Sequence, residues 1–188
     1  RRITPPGYDC GRIIVEGHRV IYTGKNWRDV MPKTSELVSY DLDTQSKQTL
    51  VSEGQLRIGA IAAENQVLMF MATDMAAYGN GTSCDFYRCN LKEGRIDKVL
   101  DYEYSVGSCV NSDVRYGSGK TFLMKDGALY FTTTVGYHTE LMVLRENQLE
   151  KAVAFNGAVS GFDFIENGLV FCAMEPGQLQ EIYIADGA

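Results

Sequence analysis

The residues with the most chemistry in their spacing are Gly117-Ser118-Gly119-Lys120-Thr121. A glycine-rich loop ending in Gly-Lys-Thr holds nucleotide phosphates when it joins a strand to a helix. That function needs the full G-x-x-x-x-G-K-[ST] spacing, and the first glycine is replaced by Val114. It also needs a helix after the threonine, where "FLMKDGALYFTTT" reads as a β-hairpin. Neither ATP nor GTP is expected to bind here, and no cofactor is implied. Nucleophilic hydrolysis is equally unsupported. No serine has glycines two before and two after it, the spacing of the G-x-S-x-G elbow, and Ser118 has its glycines directly adjacent.

Metal chemistry finds no spacing either. The histidines are His18 and His138, and neither sits beside a cysteine. The cysteines, Cys10, Cys84, Cys89, Cys109 and Cys172, are odd in number and show no C-x-x-C pair. A zinc site and a disulfide framework are both unexpected, and buried free thiols in a reducing cytoplasm are the expectation. Asn80-Gly81-Thr82 matches a glycosylation sequon, which in a cytoplasmic chain is chance. Trp27, near Tyr22 and Arg28, suits a ligand platform, but a single loop tryptophan is expected to pack under its own loop.

The elements that must position any site come from a repeat. "ELVSYDL" from Glu36, "DFYRCNL" from Asp85, "ELMVLRE" from Glu140 and "EIYIADG" from Glu181 align. Each opens with an acid and follows it with an apolar residue. Asp41, Asn90 and Asp186 share the sixth place, where the third copy has Arg145. A second series precedes it: "VIYTG" from Val20, "VLMFMA" from Val67, "LYFTTT" from Leu129 and "LVFCAM" from Leu169. These are short, β-branched and aromatic, bounded by turn residues, as buried strands are. Tight turns and a further strand precede each, for example "RIGAIAA" from Arg57, and "KQTLVS", "RIDKVLD" and "QLEKAVAF" follow the acid-led strands.

The unit is thus four antiparallel strands repeating every roughly 40 to 60 residues, which suits a propeller blade. The fold class is all-β: a partial β-propeller of about four blades, expected as an open arc. The blades fall at about 11–52, 57–101, 120–155 and 158–188 of a single propeller fragment, and the fourth stops after its third strand. With strands lettered A to D outward, the B–C loops are the longer ones, at 24–35, 73–84, 134–139 and 174–180, and the longest connection is the D–A link 102–120. Binding groups gather on long loops held by a rigid scaffold, so this face is the expected working face. The acid column Glu36, Asp85, Glu140 and Glu181 resembles a metal ring, but repeat-equivalent residues more often serve blade geometry.

Composition sets outer bounds. The chain has 188 residues, is 45% hydrophobic and carries a net charge of −6. That suits a globular protein and argues against a nucleic-acid partner, which calls for a basic face. No apolar run approaches the ~20 residues of a membrane helix. The chain begins "RRITPPGYD" without Met, and reads as a piece of a longer cytoplasmic protein.

One longer stretch carries a family likeness. "SVGSCVNSDVRYGSGKTF" (105–122) resembles a landmark in the propeller of prolyl oligopeptidase-family serine peptidases, above all the bacterial acylaminoacyl-peptidase branch. "FMATDMAAYGNGTSCDFYRCNL" and "GAVSGFDFIENGLVFCAMEPGQLQEIYIADG" resemble neighbouring blades there. The likeness is strongest from Phe70 to Gly187, and its most specific part is Asn111-Ser112-Asp113…Arg115-Tyr116-Gly117. It implies a seven-bladed propeller joined to a C-terminal α/β-hydrolase domain that acts on short peptides, with this chain as the later, non-catalytic part. The implied partners are that hydrolase domain and a peptide substrate, with self-association through exposed blade edges. Asn111, Asp113, Arg115 and Tyr116 become the substrate-facing candidates. An arginine there suits a two-pronged bond to a peptide carboxylate or carbonyl. The competing reading is that Asp113 and Arg115 pair with loop backbone and order the long link. A binding propeller with no enzymatic partner is the alternative to the whole.

Overall fold

The structure is a computed structural model that describes residues 1–110 and 119–186, the side chain of Asp186 excepted. The chain divides into two compact units, Arg1–Glu103 and Tyr104–Ala188. In the first, β1 (Tyr8–Glu16), β2 (Arg19–Asn26), β3 (Glu36–Asp41) and β4 (Lys47–Val51) pair in chain order as one antiparallel sheet. A second sheet repeats the pattern with β5 (Arg57–Glu64), β6 (Val67–Thr73), β7 (Asp85–Asn90) and β8 (Ile96–Leu100).

In the second unit, β9 (Ser105–Val106), β10 (Phe122–Lys125), β11 (Ala128–Val135), β12 (His138–Arg145) and β13 (Gln148–Lys151) form one blade. The last blade is β14 (Ala158–Ile165), β15 (Gly168–Met174) and β16 (Glu181–Asp186), three strands among the described residues. A single parallel pair, Thr139 with Ala158, joins the two blades. The fold is the expected one: all-β, built of propeller-type antiparallel meanders. Among the described residues the only helical piece is one 3-10 turn, Gly79–Gly81, and no helix is long and apolar enough to cross a membrane.

The turns explain the meanders. One kind of two-residue hairpin that follows the right-handed twist of strands takes positive φ at both central residues. Asn65-Gln66, Asp126-Gly127 and Glu146-Asn147 supply it, with φ of 51° and 66°, 51° and 78°, and 49° and 67°. The wider C–D turns close differently. Asp41 Oδ1 accepts the backbone N–H groups of Asp43 (3.1 Å) and Thr44 (2.8 Å). Asn90 Oδ1 does the same for Lys92 (2.9 Å) and Glu93 (3.3 Å). These Asx turns give the sixth place of the repeat its physical meaning, and Arg145 departs from it because its turn is the shorter hairpin kind.

Alternation then sorts the side chains. Ile21 and Leu37 point to the face that packs on Ile61, Leu68 and Phe70 of the next blade, while Tyr22, Val38 and Tyr40 point to the opposite face. In the second unit Tyr130, Leu141 and Val143 pack on Val159, Phe162 and Phe171 of the last blade. Phe70, Phe86 and Phe131 are fully buried, each contributing about 1.5–3 kcal/mol by leaving water. One expectation fails in detail. The B–C connection of the third blade is not a long loop, because β11 and β12 extend until only Gly136 and Tyr137 remain between them.

Candidate functional site

The face bearing the B–C connections holds a cavity of about 330 Å³ in the second unit. It is lined by Val110, Tyr137, His138, Asn156 to Ala158 and Met174 to Gln178. Its construction begins with the three threonines that close β11. Thr133 Oγ1 donates to the Ser105 carbonyl at 3.0 Å, and Thr134 Oγ1 donates to the Gly107 carbonyl at 3.0 Å. The Cys109 N–H donates back to Thr134 Oγ1 at 3.0 Å, and the Gly107 N–H reaches the Thr132 carbonyl at 2.7 Å. Ser108 and Thr139 share a hydroxyl contact at 3.2 Å. The first part of the long D–A link is thereby strapped to β11, and its last described residue, Val110, is delivered to the cavity.

The opposite wall depends on a glycine. A Cβ on Gly157 would lie 2.3 Å from the Met174 carbonyl oxygen, so only glycine lets the chain leading into β14 press against the end of β15. That contact sets the spacing between Ala158 and the Met174–Gln178 loop. Tyr137, at the two-residue turn, is 87% exposed, and its ring meets that of His138 edge to face at 5.2 Å.

The charges nearby are paired. His138 Nε2 lies 2.8 Å from Glu140 Oε1, and Lys151 Nζ lies 2.6 Å from the same oxygen. Burial alone would raise the Glu140 pKa, but hydrogen bonds from Lys151 and His138 outweigh it and hold it below the ordinary value. Glu175 contributes a carboxylate to the lining. Tyr137, Met174 and Pro176 give an apolar floor, with Asn156 and Gln178 as polar handles. Such a lining suits holding a short chain segment. The contacts of His138 go to Glu140 and Tyr137, so it is not poised beside a serine or cysteine nucleophile among the described residues.

The sequence candidates fare unevenly. Asn111, Asp113, Arg115 and Tyr116 lie outside the described residues, in the link whose start is strapped to β11. Gly119 packs its backbone against Gly161, where a Cβ would come within 2.6 Å. Lys120 Nζ pairs with Asp163 at 2.9 Å, and the Thr121 carbonyl accepts the Thr132 N–H at 3.0 Å. Strand β10 follows, so the Gly-Lys-Thr run opens a hairpin, as expected. The acid column is not a ring. Glu36, Asp85 and Glu140 each pair with a lysine on the outermost strand of their own blade, Lys47 at 3.3 Å, Lys98 at 3.3 Å and Lys151 at 2.6 Å. The sequence signal for this pairing is a lysine that recurs shortly after three of the four acid-led strands, at Lys47, Lys98 and Lys151.

Two expectations are corrected and one cluster was missed. Trp27 is 64% exposed rather than packed under its loop, because its backbone N–H is tied to the Gly7 carbonyl at 3.0 Å and the ring points outward. Of the cysteines only Cys89 is buried, its thiol pKa pushed up to about 11 by desolvation, while Cys10 and Cys109 are exposed. His18, Asp41 and Asp43 come close enough to share one metal ion, although 23 residues separate His18 from Asp41 in sequence. The Asp41 carboxylate is already committed, with Oδ1 in its turn and Oδ2 at 3.2 Å from His18 and 3.8 Å from Arg19. A cation at that distance opposes a second positive charge.

No protein-family model and no curated protein matches the chain. Solved structures do. The β-propeller domain of the trilobed protease from Pyrococcus furiosus, described as having an open velcro topology, is similar with a TM-score of 0.69 at 13% identity, over 98% of this chain and 54% of that one. The acylaminoacyl peptidase of Pyrococcus horikoshii is similar with a TM-score of 0.70 at 16% identity, over 98% of this chain and 26% of that one. TolB from Acinetobacter baumannii is similar with a TM-score of 0.57 at 12% identity, over 90% of this chain and 38% of that one. At such identities the likeness shows the fold. The chain spans from about a quarter to about half of these proteins.

Proposed function

We propose that this chain is the non-catalytic propeller portion of a serine peptidase of the prolyl oligopeptidase family. In this reading it gates access of short peptides to an α/β-hydrolase domain on the same polypeptide and docks that domain. The observation that carries the reading is the match over 98% of the chain to the propeller of a protease and to a structure of an acylaminoacyl peptidase. The cavity on the B–C face supports it, because its apolar floor and polar handles suit a peptide segment. Asn111, Asp113, Arg115 and Tyr116, reached through the strapped link, are the substrate-facing groups. Cytoplasmic location, the open arc and self-association through the last blade belong to the same proposal. The alternative reading is a binding propeller without an enzymatic domain.

The test is covalent labelling. The protein containing this chain, taken from its native source, is treated with a fluorophosphonate probe beside the isolated chain. The reading expects the label on a serine outside this chain and none on the isolated chain. A native protein that takes no label overturns it.

A further inference from the structure

A second cavity, of about 280 Å³, lies in the first unit and has the opposite character. Its lining includes Arg12, Lys25, Lys33 and Arg57, against one carboxylate, Asp9. The chain as a whole is acidic, with a net charge of −6, so this concentration of cations stands out against its background. None of the four makes an ion pair among the described residues, whereas Arg19, Arg28, Lys47, Arg95, Lys98, Lys120, Lys125 and Lys151 all do.

The two guanidinium groups are aimed by local structure. A β-bulge interrupts β1 between Cys10 and Ile13. Gly11 makes it possible, since a Cβ there would lie 2.8 Å from Thr23 Oγ1, and the Arg12 N–H donates to that same hydroxyl at 2.9 Å. Bulges re-aim side chains. Here Arg12 is turned toward the next blade, where its Nε donates to the Gly59 carbonyl at 2.9 Å. Arg57 is fixed by the Asn80 carbonyl at 3.1 Å and the Thr82 carbonyl at 3.2 Å. Lys25 Nζ is held by the Pro32 carbonyl at 3.3 Å. Neutral carbonyls orient these groups without cancelling their charge. Each guanidinium carries five N–H donors, so donors remain available on both after these bonds. The Thr34 hydroxyl adds a polar group to the same lining.

We infer that this cavity binds an oxyanion, and that its ligand is the carboxylate at the C-terminus of a short peptide. Planar guanidinium forks match a carboxylate, and the volume admits a chain end. The choice of a peptide as carrier rests on the function proposed above, while the oxyanion site stands on its own geometry.

The experiment titrates the ¹⁵N-labelled 188-residue chain at low salt with three probes: N-acetyl-trialanine with a free C-terminus, the same peptide amidated, and inorganic phosphate. The free-acid peptide is expected to shift the amides of Gly11, Arg12 and Gly59, and the amidated peptide is not. Arg12→Gln and Lys33→Gln, both at exposed side chains, are each expected to weaken binding roughly tenfold while leaving the rest of the spectrum unchanged. Adding salt to 0.5 M is expected to weaken it further. Equal shifts from acid and amide, shifts from phosphate alone, no shifts at all, or full binding by folded Arg12→Gln each overturn the inference. All of these readings are independent of whether a hydrolase domain exists, so they separate failure here from failure of the peptidase proposal.

Discussion

Replacing Thr134 with valine removes one hydroxyl and keeps the branched shape. That hydroxyl donates to the Gly107 carbonyl and accepts the Cys109 N–H, both at 3.0 Å. A neutral hydrogen bond contributes about 0.5–1.5 kcal/mol net, so the pair sets an upper range of about 1–3 kcal/mol. Cys109 is exposed, and water replaces its lost acceptor at little cost. The buried neighbour Thr133 keeps its own bond to Ser105, which holds β9 in place. The expected loss is therefore about 1 kcal/mol, which for a domain of this size is about 2–4 °C in Tm. The more diagnostic effect is local. Hydrogen exchange at the Cys109 amide is expected to accelerate at least fivefold, while amides of β14 and β15 keep their protection. Unchanged exchange at Cys109, or equal loss throughout the unit, refutes the argument that this threonine straps the link that leads to the cavity.

Gly157→Ala forces a methyl group toward the Met174 carbonyl, so it is expected to cost about 1–3 kcal/mol and lower the urea midpoint. Glu140 has a lowered pKa, so its contribution is present above the ordinary value of 4.5 and is lost as pH falls below it. Urea titrations at pH 7 and pH 3 are expected to show a larger drop for the native chain than for Glu140→Gln. Ile182 and Ile184 are 77% and 63% exposed on the last blade, and sedimentation velocity is expected to show less self-association for Ile184→Lys than for the native chain. Lys120→Ala breaks an exposed pair with Asp163, costs less than about 1 kcal/mol and changes no heat of ATP addition in calorimetry.

The blades were legible because strand physics is local. Short β-branched and aromatic runs and paired turn residues such as Asp126-Gly127 report their own geometry, so the meander could be read without tertiary knowledge. The Asx turns at Asp41 and Asn90 were visible as a column but not as a mechanism, because the donors to each Oδ1 are backbone N–H groups, which carry no letter. The site was less legible. The threonine strap joins Thr134 to Gly107 across 27 residues, and the cation cavity gathers Arg12 and Arg57 from two blades. Such convergence is set by blade stacking rather than by spacing along the chain. The B–C loop of the third blade misled because Val135 and His138 are as compatible with strand as with loop, and cross-strand pairing decided it.

The central claim is that this propeller serves a hydrolase domain, and the coding sequence that follows Ala188 tests it most directly. Reading that frame to its stop codon is one measurement. The account predicts a strand followed by G-x-S-x-G, with an aspartate and then a histidine further on in the same polypeptide. A frame that closes with no such elbow contradicts it, and leaves the binding propeller as the reading that stands.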